Sequence, residues 1–245
     1  NRIYAVNPST GATTLVTATA PFAISSLALD AANGQIYYTE DNDGVIQLAR
    51  YSLASNTHVT LGNLAAPGFA YTPARNIQNL VFFAGDLYYV HSLSDDLVKI
   101  EVSATAITGQ QKVADLNLES SLGTITGAAL NDAGMLFLCN STSLYKYNLR
   151  SNSSFSTVSS GLGAYESLMW NSAAGTLNGA PSTAVTRIDS VSPVTGAATT
   201  GVLSAPPISF HDLTGPHSAM PLSGLATSIF AVTGNNPVIH VLNPQ

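Results

Sequence analysis

The stretch Arg2 to Gly11, RIYAVNPSTG, decides the fold, because altered copies of it return five more times along the chain. The copies read LARYSLASN from Leu48, LVKIEVSAT from Leu97, LYKYNLRSN from Leu144, VTRIDSVSPVTG from Val185 and IHVLNPQ from Ile239. One apolar position recurs at steps of 45, 49, 47, 41 and 54 residues, and it is held by Val6, Tyr51, Ile100, Tyr147, Ile188 and Leu242. A period of this size indicates a repeat architecture.

The repeated unit is built from β-strands. Each copy alternates apolar and polar residues and ends in a Ser/Thr-Gly or Ser-Asn corner, which is typical of a strand that leads into a hairpin. In the first unit, FAISSLALD and QIYYTE flank Asn33-Gly34, and Asn-Gly between alternating runs is a strong hairpin signal. Later units repeat this plan in about 40–50 residues, and no stretch reads as a helix. The pattern predicts an all-β fold, a β-propeller of four-stranded antiparallel blades.

The number of blades follows from counting the copies. First-strand and second-strand copies number five, whereas copies of the opening stretch number six, one near each end of the chain. The simplest closure is one domain over residues 1–245 with five blades, in which N-terminal strands complete the blade that C-terminal strands begin. Six blades remain an alternative if the region after Ile208 holds a further short blade. Because the chain begins and stops inside copies of one motif, we expect it to be an excerpt of a longer or processed polypeptide.

The units also resemble a known group of repeats. Segments such as IYAVNPSTG, FAISSLALDAANGQIYYTED and GTITGAALNDAGMLFL are similar to the DUF6923-like and PQQ/YVTN-like propeller repeats of bacterial secreted and cell-surface proteins. The resemblance covers nearly the whole chain and implies a propeller that works outside the cell. The fourth unit departs from the pattern, with Asn178-Gly179-Ala180-Pro181 where an apolar middle strand is expected.

Composition narrows the range of partners. Only 9% of the residues are charged, the net charge is −6 and the isoelectric point is near 5.1. An acidic chain without a basic stripe is not expected to bind nucleic acid, and no apolar run approaches the ~20 residues that span a bilayer. A surface rich in Ser and Thr and poor in charge favours an extracellular location. The single cysteine, Cys139, lies in an apolar run and is predicted to be a buried packing thiol.

Candidate ligand-binding residues come from the leading ends of the first strands, which in a propeller open on the central channel. The side chains expected at this channel mouth are Gln78, Asn79, Glu166, His211 and Asp212. Amides and carboxylates that converge there could hold a sugar, or a Ca²⁺ ion through Asn79, Glu166 and Asp212, because hard cations want several oxygen ligands. Such an ion site would resemble that of lactonase-type propellers. The alternative interpretation is that these polar groups only solvate a water-filled channel.

Further stretches of the sequence contain candidate sites. Asp41 and Asp43 lie in the acidic run Glu40 to Gly44, which begins like a calcium loop but lacks the glutamate that completes one, so a solvated hairpin loop is the competing interpretation. Asn140 and Asn152 begin Asn-x-Ser/Thr sequences and are glycosylation candidates if the protein is eukaryotic. The run from His211 to His217 breaks the repeat, which makes it a place to look for specialised function.

The sequence predicts a binding or structural module and not a catalyst. It contains no Gly-x-Ser-x-Gly, His-Glu-x-x-His or phosphate-binding glycine loop. The expected partners are neighbouring domains, further copies of the chain in a filament or coat, or other proteins and glycans bound by an adhesin. No cofactor is expected, apart from the Ca²⁺ alternative. The rival hypothesis is a metal-dependent hydrolase of the lactonase type, with its site at the channel mouth.

Overall fold

The computed structural model describes residues 3–7, 10–16, 23–64, 77–91, 96–116, 125–151, 155–183, 186–204, 212–214 and 229–232. The described residues form five sheets of four antiparallel strands, as the repeat predicts. The chain begins with β1 (Ile3–Val6) and β2 (Thr13–Leu15). None of the described residues belongs to a helix of the length and apolar character that a membrane crossing requires.

Four blades are continuous in sequence. Blade 1 holds β3 (Ala23–Asp30), β4 (Gln35–Asn42), β5 (Val45–Ser52) and β6 (Thr57–Asn63). Blade 2 holds β7 (Ile77–Phe83), β8 (Asp86–His91), β9 (Asp96–Val102) and β10 (Ile107–Asp115). Blade 3 holds β11 (Gly127–Leu130), β12 (Met135–Cys139), β13 (Leu144–Asn148) and β14 (Ser156–Ser159). Blade 4 holds β15 (Tyr165–Asn171), β16 (Thr176–Pro181), β17 (Arg187–Val191) and β18 (Ala198–Leu203).

The fifth blade, called the closing blade below, joins the two ends of the chain. Its strands are β19 (Asp212–Thr214), β20 (Ile229–Val232), β1 and β2, in that order. Within it β1 pairs antiparallel with β20, from Ile3 opposite Val232 to Val6 opposite Ile229. The first strand of each blade lies innermost, and β19 packs against both β15 and β3. Five blades therefore close the ring in the part of the chain that the structure describes, and the sixth motif copy, at Leu242, lies outside that part.

The repeated corner is a turn held by its own polar residues. In the first copy, Asn7 Oδ1 accepts the Thr10 N–H at 3.0 Å, and the Gly11 N–H donates to the Asn7 carbonyl at 2.8 Å. Near residue 196 the Ser192 hydroxyl accepts the Val194 N–H, and Gly196 donates to the Ser192 carbonyl. Both glycines have φ of 70°, a left-handed conformation that favours glycine. A short polar residue followed by Ser/Thr-Gly therefore ends the third strand of a blade.

The hydrophobic core consists of the five seams between neighbouring blades. Ile3 and Tyr4 of the closing blade pack with Tyr38 of blade 1, and Leu48 of blade 1 packs with Tyr89 of blade 2. The remaining seams are built in the same way, from blades 2 and 3, 3 and 4, and 4 and the closing blade. Burying each such side chain stabilises the fold by about 1.5–3 kcal/mol, so each blade gains stability from its contacts with its neighbours.

The middle strand of blade 4 forms in spite of its unusual sequence. In β16, Gly179 pairs with Leu168 of β15, and a Cβ atom at Gly179 would lie 2.6 Å from the Tyr165 ring. The glycine is therefore needed because the Tyr165 ring fills the space where other blades place an apolar side chain. Pro181 stands at the last position of the strand, where it pairs with Tyr165.

Candidate functional site

The predicted channel residues belong to a set that we call the seam positions, which are equivalent sites on the five inner strands. They are occupied by Ser26, Asn79, Gly127, Ser167 and Asp212. The four side chains at these positions are buried, with at most 4% of each exposed. Because these side chains are buried, they contact other groups of the protein.

Asp212, at the start of β19, connects the closing blade to blade 1. Its Oδ2 accepts hydrogen bonds from the Leu27 N–H at 2.6 Å and the Ser26 hydroxyl at 3.0 Å. Its Oδ1 accepts the Leu213 N–H at 2.9 Å. Burial raises the pKa of the Asp212 carboxyl to about 7, although these three donors lower it. The side chain thus forms part of the joint between the blades.

Ser26 and Asn79 continue this connection into blade 2. The Ser26 hydroxyl oxygen accepts the backbone N–H groups of Asn79 at 2.9 Å and Leu80 at 2.6 Å. A β-bulge at Asn79, whose φ is 83°, aims these two consecutive N–H groups at one oxygen. The Asn79 side-chain nitrogen is buried and has no hydrogen-bond partner among the described residues. The structure therefore brings Asp212 and Asn79 into one hydrogen-bonded chain that crosses three blades.

Glu166 lies at the corresponding bulge of β15, beside the buried Ser167. Burial raises the pKa of the Cys139 thiol to about 12, and the charges of Glu166 and Asp212 also raise it. Cys139 is a free cysteine, as predicted. Among the described residues, no three His, Cys, Asp or Glu side chains form a group that could hold a metal ion.

The acidic run on blade 1 forms a tight hairpin turn. Asp43 and Gly44 are the two residues between β4 and β5, with φ of 51° and 84°. Positive φ at both positions is typical of a type I′ turn. The Oδ1 atom of Asp41 accepts the Gly44 N–H at 2.6 Å, while Asp43 is exposed. This geometry accounts for both aspartates as turn residues.

The remaining predicted site residues are buried or lie outside the described residues. Asn140 is 4% exposed, its Oδ1 accepts the Thr142 and Ser143 N–H groups, and its Nδ2 donates to the Tyr145 hydroxyl at 3.3 Å. A glycan on this nitrogen would require the side chain to leave those contacts. Asn152, His211 and the side chain of Gln78 lie outside the described residues.

The central channel is narrow where the inner strands approach one another. Its volume is about 20 Å³, and its walls include Leu29, Leu130 and Trp170. Trp170 stacks on Phe137 of blade 3 with ring centroids 6.0 Å apart, so it packs between blades 3 and 4. About one water molecule fits in a volume of this size, so little space is left between the described inner strands at this level of the channel.

A much larger cavity lies at the other end of the inner strands, where the first hairpin turns of blades 1 to 3 gather. We call it the turn-face cavity, and its volume is about 560 Å³. Blade 1 contributes residues from Leu29 to Tyr37, and blade 2 contributes Phe82 to Leu87 and Lys99 to Val102. Blade 3 adds Asp132 and Arg150. Leu29 and Phe82 also line the channel, so the cavity borders the channel on this face.

The floor of the turn-face cavity is apolar. Tyr37 of blade 1 stacks on Phe82 of blade 2, with ring centroids 5.9 Å apart and planes 8° from parallel. Leu29, Leu87 and Ile100 close the floor beneath these rings, and each is at most 2% exposed. Burial raises the pKa of Tyr37 above its ordinary value, so its hydroxyl stays protonated at neutral pH.

The rim of the cavity is charged. Lys99 Nζ lies 2.7 Å from Asp86 Oδ1, and this hydrogen bond raises the pKa of Lys99. Asp30 accepts hydrogen bonds from the backbone and side-chain nitrogens of Asn33 at 3.2 and 2.8 Å. The Asp132 carboxylate accepts the Trp170 Nε1–H at 3.3 Å. These contacts hold the carboxylates of Asp30, Asp86 and Asp132 in place.

The two remaining charges of the rim are Arg150 and Glu101. The Arg150 guanidinium carbon lies 5.4 Å from the centroid of the Phe83 ring, in a cation–π contact. Glu101 is exposed on β9, two residues after Lys99, and its charge contributes to the raised pKa of Lys99. Both side chains face a ligand that enters the cavity.

Sequence reasoning placed its candidate site at the leading ends of the first strands and missed the cavity at their trailing ends. A signal was present in the sequence, because the first-strand turns carry acidic residues at Asp30, Asp86 and Asp132. A repeated acidic turn suggests a solvated loop when it is considered alone. Only the closed ring shows that three such turns surround one apolar hollow.

The comparisons with known proteins concern the fold. No family model matches the chain, and no curated protein shows significant similarity to it. Among solved structures, a chain of a nidogen/laminin complex matches with a TM-score of 0.60 and 12% identity, over 87% of this chain and 82% of that one. A protein of unknown function from Bacteroides thetaiotaomicron matches with a TM-score of 0.57 and 13% identity, over 95% of this chain and 59% of that one. The chain is thus a β-propeller with remote structural neighbours.

Proposed function

We propose that this chain is a non-catalytic binding module of an extracellular or cell-surface protein, and that it engages a protein partner through the turn-face cavity. The observation that carries the proposal is the cavity itself, which combines a concave apolar floor with a charged rim. Its volume of about 560 Å³ falls within the range of about 300–1,000 Å³ that is usual for ligand sites. A cavity of this kind can receive one or two side chains of a partner's loop.

The lining residues favour binding over catalysis. None of the described residues that line the cavity is Ser, Thr, Cys or His, so this lining offers no serine- or cysteine-type nucleophile with a histidine base. Its carboxylates and cations contact each other or neighbouring donors, as described above. This arrangement orients a ligand by hydrogen bonds and charge.

A protein partner is also suggested by one structural neighbour, whose structure is that of a nidogen/laminin complex. The proposal takes from this neighbour only that such a propeller can serve a protein complex. Low charge and abundant Ser and Thr support a location outside the cell. A role in a filament, a coat or an adhesin is the form that we expect this binding to take.

A peptide selection tests the proposal. The immobilised chain is used to select from a phage-displayed library of random peptides, and the enriched peptides are measured against two tryptophan variants. Ala32 is exposed and lines the cavity, whereas Ala173 is the exposed residue at the equivalent turn of blade 4 and lies outside it. We expect Ala32→Trp to abolish binding because the indole fills the cavity, and Ala173→Trp to bind like the wild type.

Two parallel measurements test the competing hypotheses. Binding on a glycan array that Ala32→Trp leaves unchanged, without enrichment of any peptide, would replace the protein partner by a glycan bound elsewhere. A stoichiometric divalent ion that disappears on replacement of Asn79, Glu166 and Asp212 by Ala would favour the hydrolase. Sedimentation of the purified chain shows whether the partner is a second copy.

A further inference from the structure

We propose that the turn-face cavity recognises a segment of a protein partner that carries an aliphatic side chain next to a lysine or arginine. This inference rests on the proposed function and adds the chemistry of the bound segment to it. The aliphatic side chain enters the hollow, and the basic side chain contacts the acidic part of the rim.

The charge balance of the lining favours a cationic partner. The lining holds the four carboxylates of Asp30, Asp86, Glu101 and Asp132. It holds two cations, Lys99 and Arg150. Arg50 lies beside the lining and hydrogen-bonds the Tyr37 hydroxyl, so four carboxylates face three cations and one negative charge remains around the cavity. Complementary charge steers a partner of opposite sign to such a site.

Both cations of the rim already contact groups of the protein. Lys99 lies between two carboxylates, with Asp86 Oδ1 at 2.7 Å and Glu101 two positions further along the same strand. Arg150 lies over the Phe83 ring. An acidic ligand would have to compete with Asp86 for Lys99, whereas a basic ligand can pair with a carboxylate whose charge Lys99 does not fully neutralise.

Glu101 supplies the negative charge that a ligand can reach, because it is exposed. Asp30 is only 4% exposed and accepts hydrogen bonds from the two nitrogens of Asn33, so it lies behind the rim and does not contact a ligand directly. Glu101 shares the single charge of Lys99 with Asp86. A guanidinium or ammonium group at the rim can therefore pair with Glu101 while its stem lies along the apolar wall.

The floor selects an aliphatic side chain over a sugar. A sugar ring is usually held against an open aromatic face, but here Tyr37 and Phe82 cover one face of each other and Arg150 covers one face of Phe83. Val102 is the partly exposed aliphatic side chain of the lining, and Leu29, Leu87 and Ile100, each at most 2% exposed, close the hollow behind it. Leu, Ile, Val or Met fits such a surface without leaving a polar group unpaired.

The test uses the peptides enriched on the intact chain. We expect a leucine, isoleucine, valine or methionine next to a lysine or arginine in most of them. Replacing that basic residue of the peptide by Gln should weaken binding roughly fivefold, and Glu should weaken it further. Raising the salt concentration should reduce the difference between the Lys and Gln peptides because it screens exposed charge.

Variants of the chain provide the reciprocal measurement. Glu101→Gln should weaken binding of the basic peptide by a similar factor, and Asp43→Asn, which removes an exposed carboxylate outside the cavity, should leave it unchanged. Glu101→Lys should reverse the preference, so that the Glu peptide binds more tightly than the Lys peptide. Thermal unfolding of each variant confirms that it folds.

Two kinds of failure are distinguishable. If Ala32→Trp abolishes binding but the enriched peptides are acidic or neutral, or Glu101→Lys does not change the preference, the inference is wrong and the proposed function stands. If no peptide is enriched, or Ala32→Trp binds like the wild type, the cavity is not the site and both fail.

Discussion

At the scale of single residues, the polar side chains of the inner strands hold neighbouring blades together. Asp212 and Ser26 satisfy backbone N–H groups of the next blade, a task that in an ordinary sheet falls to backbone carbonyls. Ala84 shows a different constraint, because it takes up φ of 54° in the two-residue turn before Gly85. That left-handed conformation is unfavourable for a residue with a Cβ atom.

We predict that Ala84→Gly stabilises the protein. The left-handed conformation costs alanine about 1–2 kcal/mol, and glycine avoids this while losing about 0.5–1 kcal/mol more conformational entropy on folding. The free energy of unfolding, measured in urea, should therefore rise by up to about 1.5 kcal/mol. Ala173→Gly is the control, since Ala173 is not among the residues with positive φ and glycine should destabilise the protein there. An equal decrease in the free energy of unfolding for both variants would contradict the strain at Ala84.

At the scale of the elements, each inner strand must approach its neighbours closely to close a ring of only five. Gly127 on β11 shows how closely, because a Cβ atom there would lie 2.9 Å from the Leu168 nitrogen, the Ser167 carbonyl carbon and Cys139 Sγ. Two of these three atoms belong to the backbone of blade 4, which cannot move without shifting β15. The position where other blades carry a polar side chain is therefore glycine in blade 3.

We predict that Gly127→Ala destabilises the protein by about 1–3 kcal/mol, as overpacking of a tight core does. The matched variant is Gly161→Ala, because no heavy atom lies within 4 Å of a Cβ atom built at Gly161. That variant should lie within about 1 kcal/mol of the wild type. Urea unfolding of the two variants measures the difference, and similar free energies would show that blades 3 and 4 are less closely packed than described.

At the scale of the whole molecule, the ring is held closed by β1 on β20 and by the contact of Asp212 with blade 1. That contact makes the closure sensitive to pH, because burial raises the pKa of Asp212 to about 7 from the ordinary 3.8. The folded state therefore binds a proton that the unfolded state has lost between these two pH values. The stability that Asp212 contributes is complete below about pH 4 and is lost as the pH rises through about 7.

We predict that Asp212→Asn removes this part of the pH dependence. The free energy of unfolding of the wild type should fall, relative to that of the variant, between pH 4.5 and pH 7.5, because only the wild type must bury a charge. Urea unfolding at both pH values gives the comparison. In the Asp43→Asn variant, which is changed at an exposed turn, the free energy of unfolding should vary with pH as it does in the wild type. If the free energy of unfolding of Asp212→Asn also varies with pH as in the wild type, the Asp212 carboxyl ionises in the fold at its ordinary pKa.

The sequence by itself determined the class of fold. A motif that returns every 41 to 54 residues, with alternating strands and Asn-Gly or Ser/Thr-Gly turns, can bury its apolar faces only by stacking like units in a ring. Strand pairing within a blade is local, so alternation and turn chemistry specify it. The strand at Asn178 to Pro181 is the exception, since its glycine makes sense only beside the Tyr165 ring of the neighbouring strand.

Only the tertiary structure decided where a ligand fits. The sequence shows that Asn79, Ser167 and Asp212 share one position of the repeat and that Glu166 precedes it, but not that the ring is narrow enough there to bury Asn79 and Asp212 against neighbouring blades. It likewise shows acidic turns at Asp30 and Asp86 without showing the hollow between them. The physical reason is that periodicity fixes which residues share a position in the repeat, whereas the distance between repeats depends on how five unlike seams pack.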